Sequence, residues 1–299
     1  MVRPMAPATP SDALERLSAV IVARFPELAG ASFTLAPRGW DSIAVEVDGR
    51  LVFKFPRHAA AQGRLETEAR LLGAIRPRVM LAVPDMTLFT EPQVFSRHEK
   101  LLGEHLTPEL YAAMSEAGKA CVGHQLARFY AELHTLDDSA MAAVGAGPIG
   151  PWLAPEAIGR LALPVLPEDL RPRAGEALVA FAALPPDPLG TTYGFFDGHG
   201  WNMAFDAAAE RLNGVYDFGD SGFGELHQEF IYSSLTSFDL TRRIVAGYEA
   251  ATGRPLDRER IHLLTAIHGL SELAEAVDDA ANVAAGGARF RRWADATPG

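Results

Sequence analysis

The sequence predicts an α+β protein: a sheet-forming first third and a mostly helical remainder. Two observations carry this. Apolar residues alternate with period two in short runs between residues 33 and 94, with Gly- and Pro-containing turns between them. From residue 107 onward, apolar residues recur at i, i+3, i+4 and i+7.

Taken in order, Asp12–Phe25 carries Leu14, Leu17, Val20, Ile21 and Phe25 at helical spacing, with Ser11 as the expected N-cap. Phe33-Thr-Leu, Ile43-Ala-Val-Glu-Val and Leu51-Val-Phe-Lys-Phe read as three antiparallel strands, and Asp48-Gly49 is a hairpin turn signal. Ala59–Ile75 reads as a helix with Leu65, Ala69, Leu71 and Leu72 on its apolar stripe. Val79–Val94 reads as two further strands, which completes a five-stranded sheet. Phe95–Gly103 is the expected crossing into the helical part, with His98 at the surface.

Pro108–Ala117 and Lys119–Leu136 read as two helices separated by Gly118, the second ending at His134, a capping or core residue. Cys121 falls in that pattern as a buried thiol. Ala142–Leu170 is rich in Gly and Pro and reads as an insertion or a loop framing a site. Arg171–Leu184 returns to helix and Pro185-Pro-Asp-Pro stops it. Three helices close the chain, over Phe230–Thr236, Asp239–Thr252 and Asp257–Ala285.

The 299 residues are 48% hydrophobic, enough for a large core, and carry a net charge of -11. That charge argues against a nucleic-acid partner, because phosphate binding needs a basic patch. A single Cys excludes an internal disulfide framework and a Cys-based zinc site. With no apolar run long enough to span a bilayer and no signal-peptide pattern in Met1–Ser11, a cytoplasmic protein without a membrane or obligate protein partner is expected.

The chemistry concentrates in Phe195–Asp220. Asp197 is followed five residues later by Asn202, then by an apolar run, a turn expected at Asn213-Gly214, and Asp217-Phe-Gly. The chain has only three Asn, and two fall here. This is the order of parts in a phosphoryl-transfer centre: Asp197 orients an acceptor hydroxyl, while Asn202 and Asp217 hold a metal. Hard Mg²⁺ prefers such oxygen donors.

Lys54 is one of only three Lys. Inside an apolar strand it must reach solvent or a partner. Glu66 and Glu68 on the next helix are the candidates, and the register Leu65-x-x-Glu68-x-x-Leu71-Leu72 favours Glu68. Arg38, Gly39 and Ser42, in the turn Pro37-Arg-Gly-Trp-Asp-Ser, are placed to lie over phosphates. Glu225, Glu229, Asp239, Glu272, Glu275, Asp278 and Asp279 are candidates for an acidic acceptor pocket. No Ala-Pro-Glu follows Asp-Phe-Gly, so a small-molecule acceptor is expected rather than a protein.

Together these segments resemble the aminoglycoside phosphotransferase family of small-molecule kinases. They include Val52-Phe-Lys-Phe-Pro, Leu65-Glu-Thr-Glu68, Leu126-Ala-Arg-Phe-Tyr-Ala-Glu-Leu-His134, Asp197-Gly-His-Gly-Trp-Asn202 and Tyr216-Asp-Phe-Gly-Asp-Ser-Gly-Phe-Gly, in the family's order. The resemblance implies a two-lobed protein-kinase-like fold, with an antiparallel sheet lobe over 1–98 and a mostly helical lobe over 99–299. It implies ATP or GTP as phosphate donor, bound with Mg²⁺ between the lobes. By position, Lys54 and Glu68 match the family's lysine–glutamate pair, Asp197 its catalytic aspartate, and Asn202 and Asp217 its metal ligands.

The chain departs from the pattern in one place that bears on the chemistry. Phe195-Phe196 stand where the family has His-Gly, which removes a hydrogen bond expected to brace the loop backbone. The expected activity is transfer of a γ-phosphate to a hydroxyl of a small polar acceptor, such as a cationic aminoglycoside. A kinase for a metabolic alcohol of choline, homoserine or sugar type, and a non-catalytic nucleotide-binding module, are the alternatives.

Overall fold

A five-stranded antiparallel sheet forms the smaller lobe. The computed structural model of the protein describes residues 10–36 and 41–296. Helix α1 (Pro10–Arg24) leads into β1 (Phe33–Leu35), β2 (Ser42–Val47), β3 (Leu51–Pro56), α2 (Ala59–Ile75), β4 (Thr87–Phe89) and β5 (Phe95–Glu99). The sheet order is β1-β2-β3-β5-β4, with every neighbouring pair antiparallel.

The hairpin between β2 and β3 turns at Asp48 and Gly49, which take φ of 53° and 63°. A turn with both central residues left-handed matches the twist of the flanking strands, and Asp-Gly meets that demand at little steric cost. Leu17 and Ile21 of α1, with Phe25 just after it, bury against Val45, Val47, Phe53, Phe55 and Phe95. Along β3, Leu51, Phe53 and Phe55 are buried in that core, so the period of two turns Lys54 to the opposite face.

Four expectations in this lobe change. Helix α1 begins at Pro10, so Ser11 lies inside its first turn rather than capping it. Residues 79–94 supply one strand, not two. The fifth strand comes from Phe95–Glu99, in the segment expected to cross between lobes. Its register pairs Val52 with His98, so His98 is buried rather than at the surface.

The larger lobe contains α3 (Pro108–Ala113), α4 (Glu116–Leu133), α5 (Asp138–Ala143), α6 (Pro155–Val165), α7 (Arg171–Ala182), β6 (Thr191–Gly194), β7 (Met203–Asp206), β8 (Arg211–Val215), β9 (Gly222–Glu225), α8 (Phe238–Thr252), α9 (Arg258–Glu275) and α10 (Ala280–Asp295). One core runs from Leu71, Leu72 and Ile75 of α2 through α4 and α8. A second joins α6, α7, α9 and α10. Among the described residues no helix is long and apolar enough to cross a membrane.

Here too the boundaries shift for identifiable reasons. Ser115 Oγ accepts from Gly118 N and starts α4 at Glu116, so Gly118 lies inside the helix, where the larger neighbour Glu210 leaves no room for a side chain. Cys121 is exposed, because the buried face of α4 carries Val122, Leu126, Phe129, Tyr130 and Leu133. The Gly- and Pro-rich segment folds into α6 despite Pro164 near its end. Phe230–Thr236 is not a continuous α-helix but two short 3-10 turns, Leu226–Phe230 and Tyr232–Leu235. The single helix expected over Asp257–Ala285 is two. Asp279 accepts from Ala281 N and Asn282 N and starts α10 anew.

Candidate active site

The β7–β8 hairpin carries one candidate metal residue at each foot. Asn202 precedes β7, Asp217 follows β8, and Tyr216 N donates to Asn202 O at 3.0 Å, which holds the two feet together. The hairpin turn falls at 207–210, not at Asn213-Gly214. Asp206 Oδ1 accepts from Ala208 N and Ala209 N at 3.0 Å each, an Asx turn that closes the hairpin earlier. Asn213 is thereby left in β8, where its Nδ2 donates to Leu102 O at 2.8 Å and ties down the interlobe connection.

Asp197 sits in the loop between β6 and β7. Asn202 Nδ2 donates to its Oδ2 at 2.6 Å and to its backbone oxygen at 3.1 Å. His199 Nε2 lies 3.1 Å from its Oδ1. Both carboxylate oxygens are therefore oriented, and the group remains 21% exposed toward the cleft. Burial works against charge on His199, but the hydrogen bond to Asp197 and its negative charge outweigh burial and raise the imidazole pKa.

The brace expected to be lost with the family's histidine comes from elsewhere. Glu229, fully buried, accepts from Phe195 N at 2.8 Å through Oε2 and from Phe196 N at 3.0 Å through Oε1. The Phe195 ring instead packs on Phe218, with centroids 4.7 Å apart, and Phe129 meets both edge-on. Phe196 takes φ of 51° and Asp217 φ of 68°, left-handed values that a non-glycine residue holds only where its surroundings enforce them.

Lys54 reaches across from β3. Its Nζ lies 2.8 Å from Glu68 Oε1 and 3.1 Å from Asp217 Oδ1. Burial disfavours the ammonium, yet the two carboxylates more than offset it and raise its pKa. Glu68 Oε1 also accepts from Phe218 N at 3.3 Å, so one carboxylate registers α2, β3 and the Asp-Phe-Gly turn. Glu66 takes a different partner, Gln62 Nε2 at 2.9 Å. Ser42 begins β2, opposite Pro56. Arg38 and Gly39 lie outside the described residues.

Three groups here escaped the sequence reading. Asp220 opens to solvent on one side, but desolvation by the cleft wall and repulsion from Asp197, Asp217 and Asp41 push its carboxyl up to about 6. Its place directly after Asp-Phe-Gly was the available signal. His199 lies inside the Asp197–Asn202 motif.

Tyr130 had no signal. Its hydroxyl lies 1.9 Å from where a Cβ on Gly198 would stand, so the residue after Asp197 has no space for a side chain. Gly198→Ala is expected to destabilise the fold by about 1–3 kcal/mol through overpacking. Adding Tyr130→Phe should restore part of the loss in urea unfolding, and an unchanged unfolding midpoint in the single variant would contradict the contact.

The acidic candidates do not converge. Glu225 receives Arg260 Nη2 at 2.9 Å, and Asp239 receives Tyr111 Oη and Arg243 Nε at 2.7 Å each. Glu229 accepts from the loop backbone at Phe195 and Phe196. Glu272 pairs with Arg289 Nη1 at 2.9 Å. Glu275 and Asp278 are exposed, at the end of α9 and just beyond it, and Asp279 caps α10.

Among the described residues no cluster of three His, Cys, Asp or Glu side chains has metal-holding geometry. Mg²⁺ does not require one, since it keeps several waters and binds through one or two protein oxygens plus substrate phosphate. Asn202 turns its amide nitrogen to Asp197, leaving Oδ1 as a donor, and Asp217 is 57% exposed. The mutual repulsion of Asp197, Asp217 and Asp220 is what a divalent cation relieves, so these residues fit the ion.

The model of the phosphotransferase enzyme family, APH, matches residues 32–264. No curated protein matches the chain in sequence. Among solved structures, the GDP complex of wild-type aminoglycoside 2'-phosphotransferase-IIIa superposes with TM-score 0.79 at 20% identity, covering 94% of this chain and 98% of that one. Macrolide 2'-phosphotransferase MphH from Brachybacterium faecium gives 0.63 at 20% identity, with 94% and 98% covered. The streptomycin–ATP ternary complex of APH(2")-IIa gives 0.61 at 16% identity, with 98% of each chain covered.

Proposed function

Because the chain belongs to the phosphotransferase enzyme family, we propose that it moves the γ-phosphate of ATP or GTP to a hydroxyl of a small-molecule acceptor. The observation that carries this is the meeting of Lys54 with Glu68 and Asp217, beside an Asp197 held by Asn202. A cation brought from one lobe to a carboxylate of the other is what triphosphate binding between lobes requires.

The residues then divide the work. Asp197 accepts a hydrogen bond from the acceptor hydroxyl and takes its proton as the oxygen attacks phosphorus. Lys54, fixed by Glu68, holds donor phosphates. Asn202 and Asp217 hold Mg²⁺, which when bound neutralises phosphate charge. Asn202 also orients Asp197, so metal and acceptor are registered through one amide. Ser42, with Arg38 and Gly39, covers the phosphates. We divide the chain into a donor-holding lobe, 1–98, and an acceptor-holding lobe, 99–299.

The deciding experiment has two parts. A ligand that binds only the folded state raises its Tm, so ATP or GTP with Mg²⁺ should raise it and EDTA should remove much of the gain. Release of nucleoside diphosphate is then followed over aminocyclitols, macrolides and metabolite alcohols. A Tm indifferent to both nucleotides sinks the reading. Binding without transfer to any acceptor would favour the non-catalytic module.

A further inference from the structure

The ladder of the β7–β8 hairpin ends where Met203 pairs with Val215, one residue short of Asn202 and two short of Asp217. Tyr216, between Val215 and Asp217, carries the register further. Its backbone N donates to Asn202 O at 3.0 Å. Its Oη donates to Trp201 O at 2.9 Å. One residue thus holds the carbonyls of both peptides that flank the Asn202 Cα.

The phenol has a further contact. A hydroxyl carries one hydrogen, and a carbonyl can only accept it. The hydrogen shared with His105 therefore belongs to the imidazole, whose Nδ1 donates to Tyr216 Oη at 3.0 Å. His105 lies in the connection between the lobes, and its neighbours clamp the same loop. Leu106 N donates to Gly200 O at 3.0 Å, and Glu104 and Phe205 exchange backbone hydrogen bonds at 2.9 and 2.8 Å. Leu106 O lies 1.9 Å from where a Cβ on Gly200 would stand, so the contact admits only glycine. The peptide before Asn202 is thereby fixed to the interlobe connection through the Tyr216 hydroxyl. On the other side of Tyr216, Asp217 is held at φ of 68°. Mg²⁺ demands near-ideal octahedral geometry, so small displacements of either residue weaken its binding.

Resting on the reading of Asn202 and Asp217 as metal residues, we infer that the Tyr216 hydroxyl is a positioning group for both. With His105 it sets the spacing at which their oxygens meet a divalent cation.

Tyr216→Phe keeps the ring and removes only the hydroxyl. Mn²⁺ binding is titrated by EPR without and with nucleotide, and the Mg²⁺ concentration giving half of the Tm gain is measured with ATP and with GTP. Tyr216→Phe is expected to weaken Mn²⁺ binding and to raise that Mg²⁺ concentration by about two- to tenfold, the factor that one hydrogen bond sets. Its ligand-free Tm should stay near the parental value, and kcat should recover at saturating Mg²⁺. His105→Ala is expected to give part of the same rise in the parent and none in Tyr216→Phe, where its donor has no hydroxyl to meet. Equal Mn²⁺ and Mg²⁺ dependence in Tyr216→Phe and the parent, a loss confined to stability, or a full His105→Ala effect in the Tyr216→Phe background overturns the inference. Absence of Mn²⁺ binding by the parent in both titrations also overturns it. A parent that binds Mn²⁺ but gains no Tm from either nucleotide fails the phosphotransferase reading alone, and the nucleotide-free Mn²⁺ titration still decides the role of Tyr216.

Discussion

Asp197→Ala is expected to lower phosphoryl transfer by about 10²–10⁴-fold, the range that general-base help contributes, and to leave nucleotide binding largely intact. The expectation rests on where its two oxygens are held. Oδ2 takes the Asn202 amide at 2.6 Å and Oδ1 faces His199 Nε2 at 3.1 Å. The carboxylate is therefore aimed into the cleft by two groups that do not themselves replace it. Truncation removes the proposed proton acceptor and also frees the Asn202 amide, so the Mg²⁺ concentration needed for half-maximal rate should rise in the same variant.

The donor contacts of Lys54 are untouched, so the nucleotide Tm shift should persist. Diphosphate release under saturating acceptor and the thermal shift, measured on one preparation, separate the two effects. Turnover at the parental rate would remove Asp197 from the reaction.

Why the pairing of Asp197 with Asn202 could be read from the sequence while its surroundings could not follows from the range of each interaction. The strands and α2 were legible because apolar period and turn chemistry are local: Asp48-Gly49 had to be a hairpin turn, and Ala59–Ile75 kept one stripe throughout. The Lys54 pairing was legible because a lysine in an apolar strand has few ways to remain charged, and Glu68 stood at the right register of the next helix. The hairpin turn was misplaced because Asn213-Gly214 and Asp206 both carry turn chemistry. A tertiary contact of Asn213 with Leu102 O, 111 positions away in sequence, decided between them.

Cys121 was misplaced by one position on a helical wheel. The acidic pocket failed for a broader reason. Sequence shows where carboxylates are, but not which arginine reaches them, and Arg260, Arg243 and Arg289 each took one.

Glu229 is the residue whose reading changed most, and Glu229→Gln has the second large expected effect. The side chain is completely buried. Tyr248 Oη lies 2.9 Å from His134 Nδ1, which leaves His134 Nε2 to face Glu229 Oε2 at 3.4 Å. The glutamate thus has donors on both oxygens: Phe195 N and His134 on Oε2, Phe196 N on Oε1. A glutamine presents one NH₂ in place of an oxygen, so at least one buried N–H must face another donor. Leaving such a group unmet costs about 1–3 kcal/mol.

The loss should not stop at stability. Phe195 and Phe196 immediately precede Asp197, and the left-handed backbone of Phe196 is held by the hydrogen bond that Gln would weaken. A shift of the loop moves the Asp197 carboxylate while Lys54 and Glu68 stay in place. The expected result is a lower urea midpoint and a reduced kcat at unchanged nucleotide KM, the signature of an interaction that matters in the transition state. Parental values of both the midpoint and kcat would refute the brace. A defect confined to the acceptor KM would instead return Glu229 to the acceptor pocket.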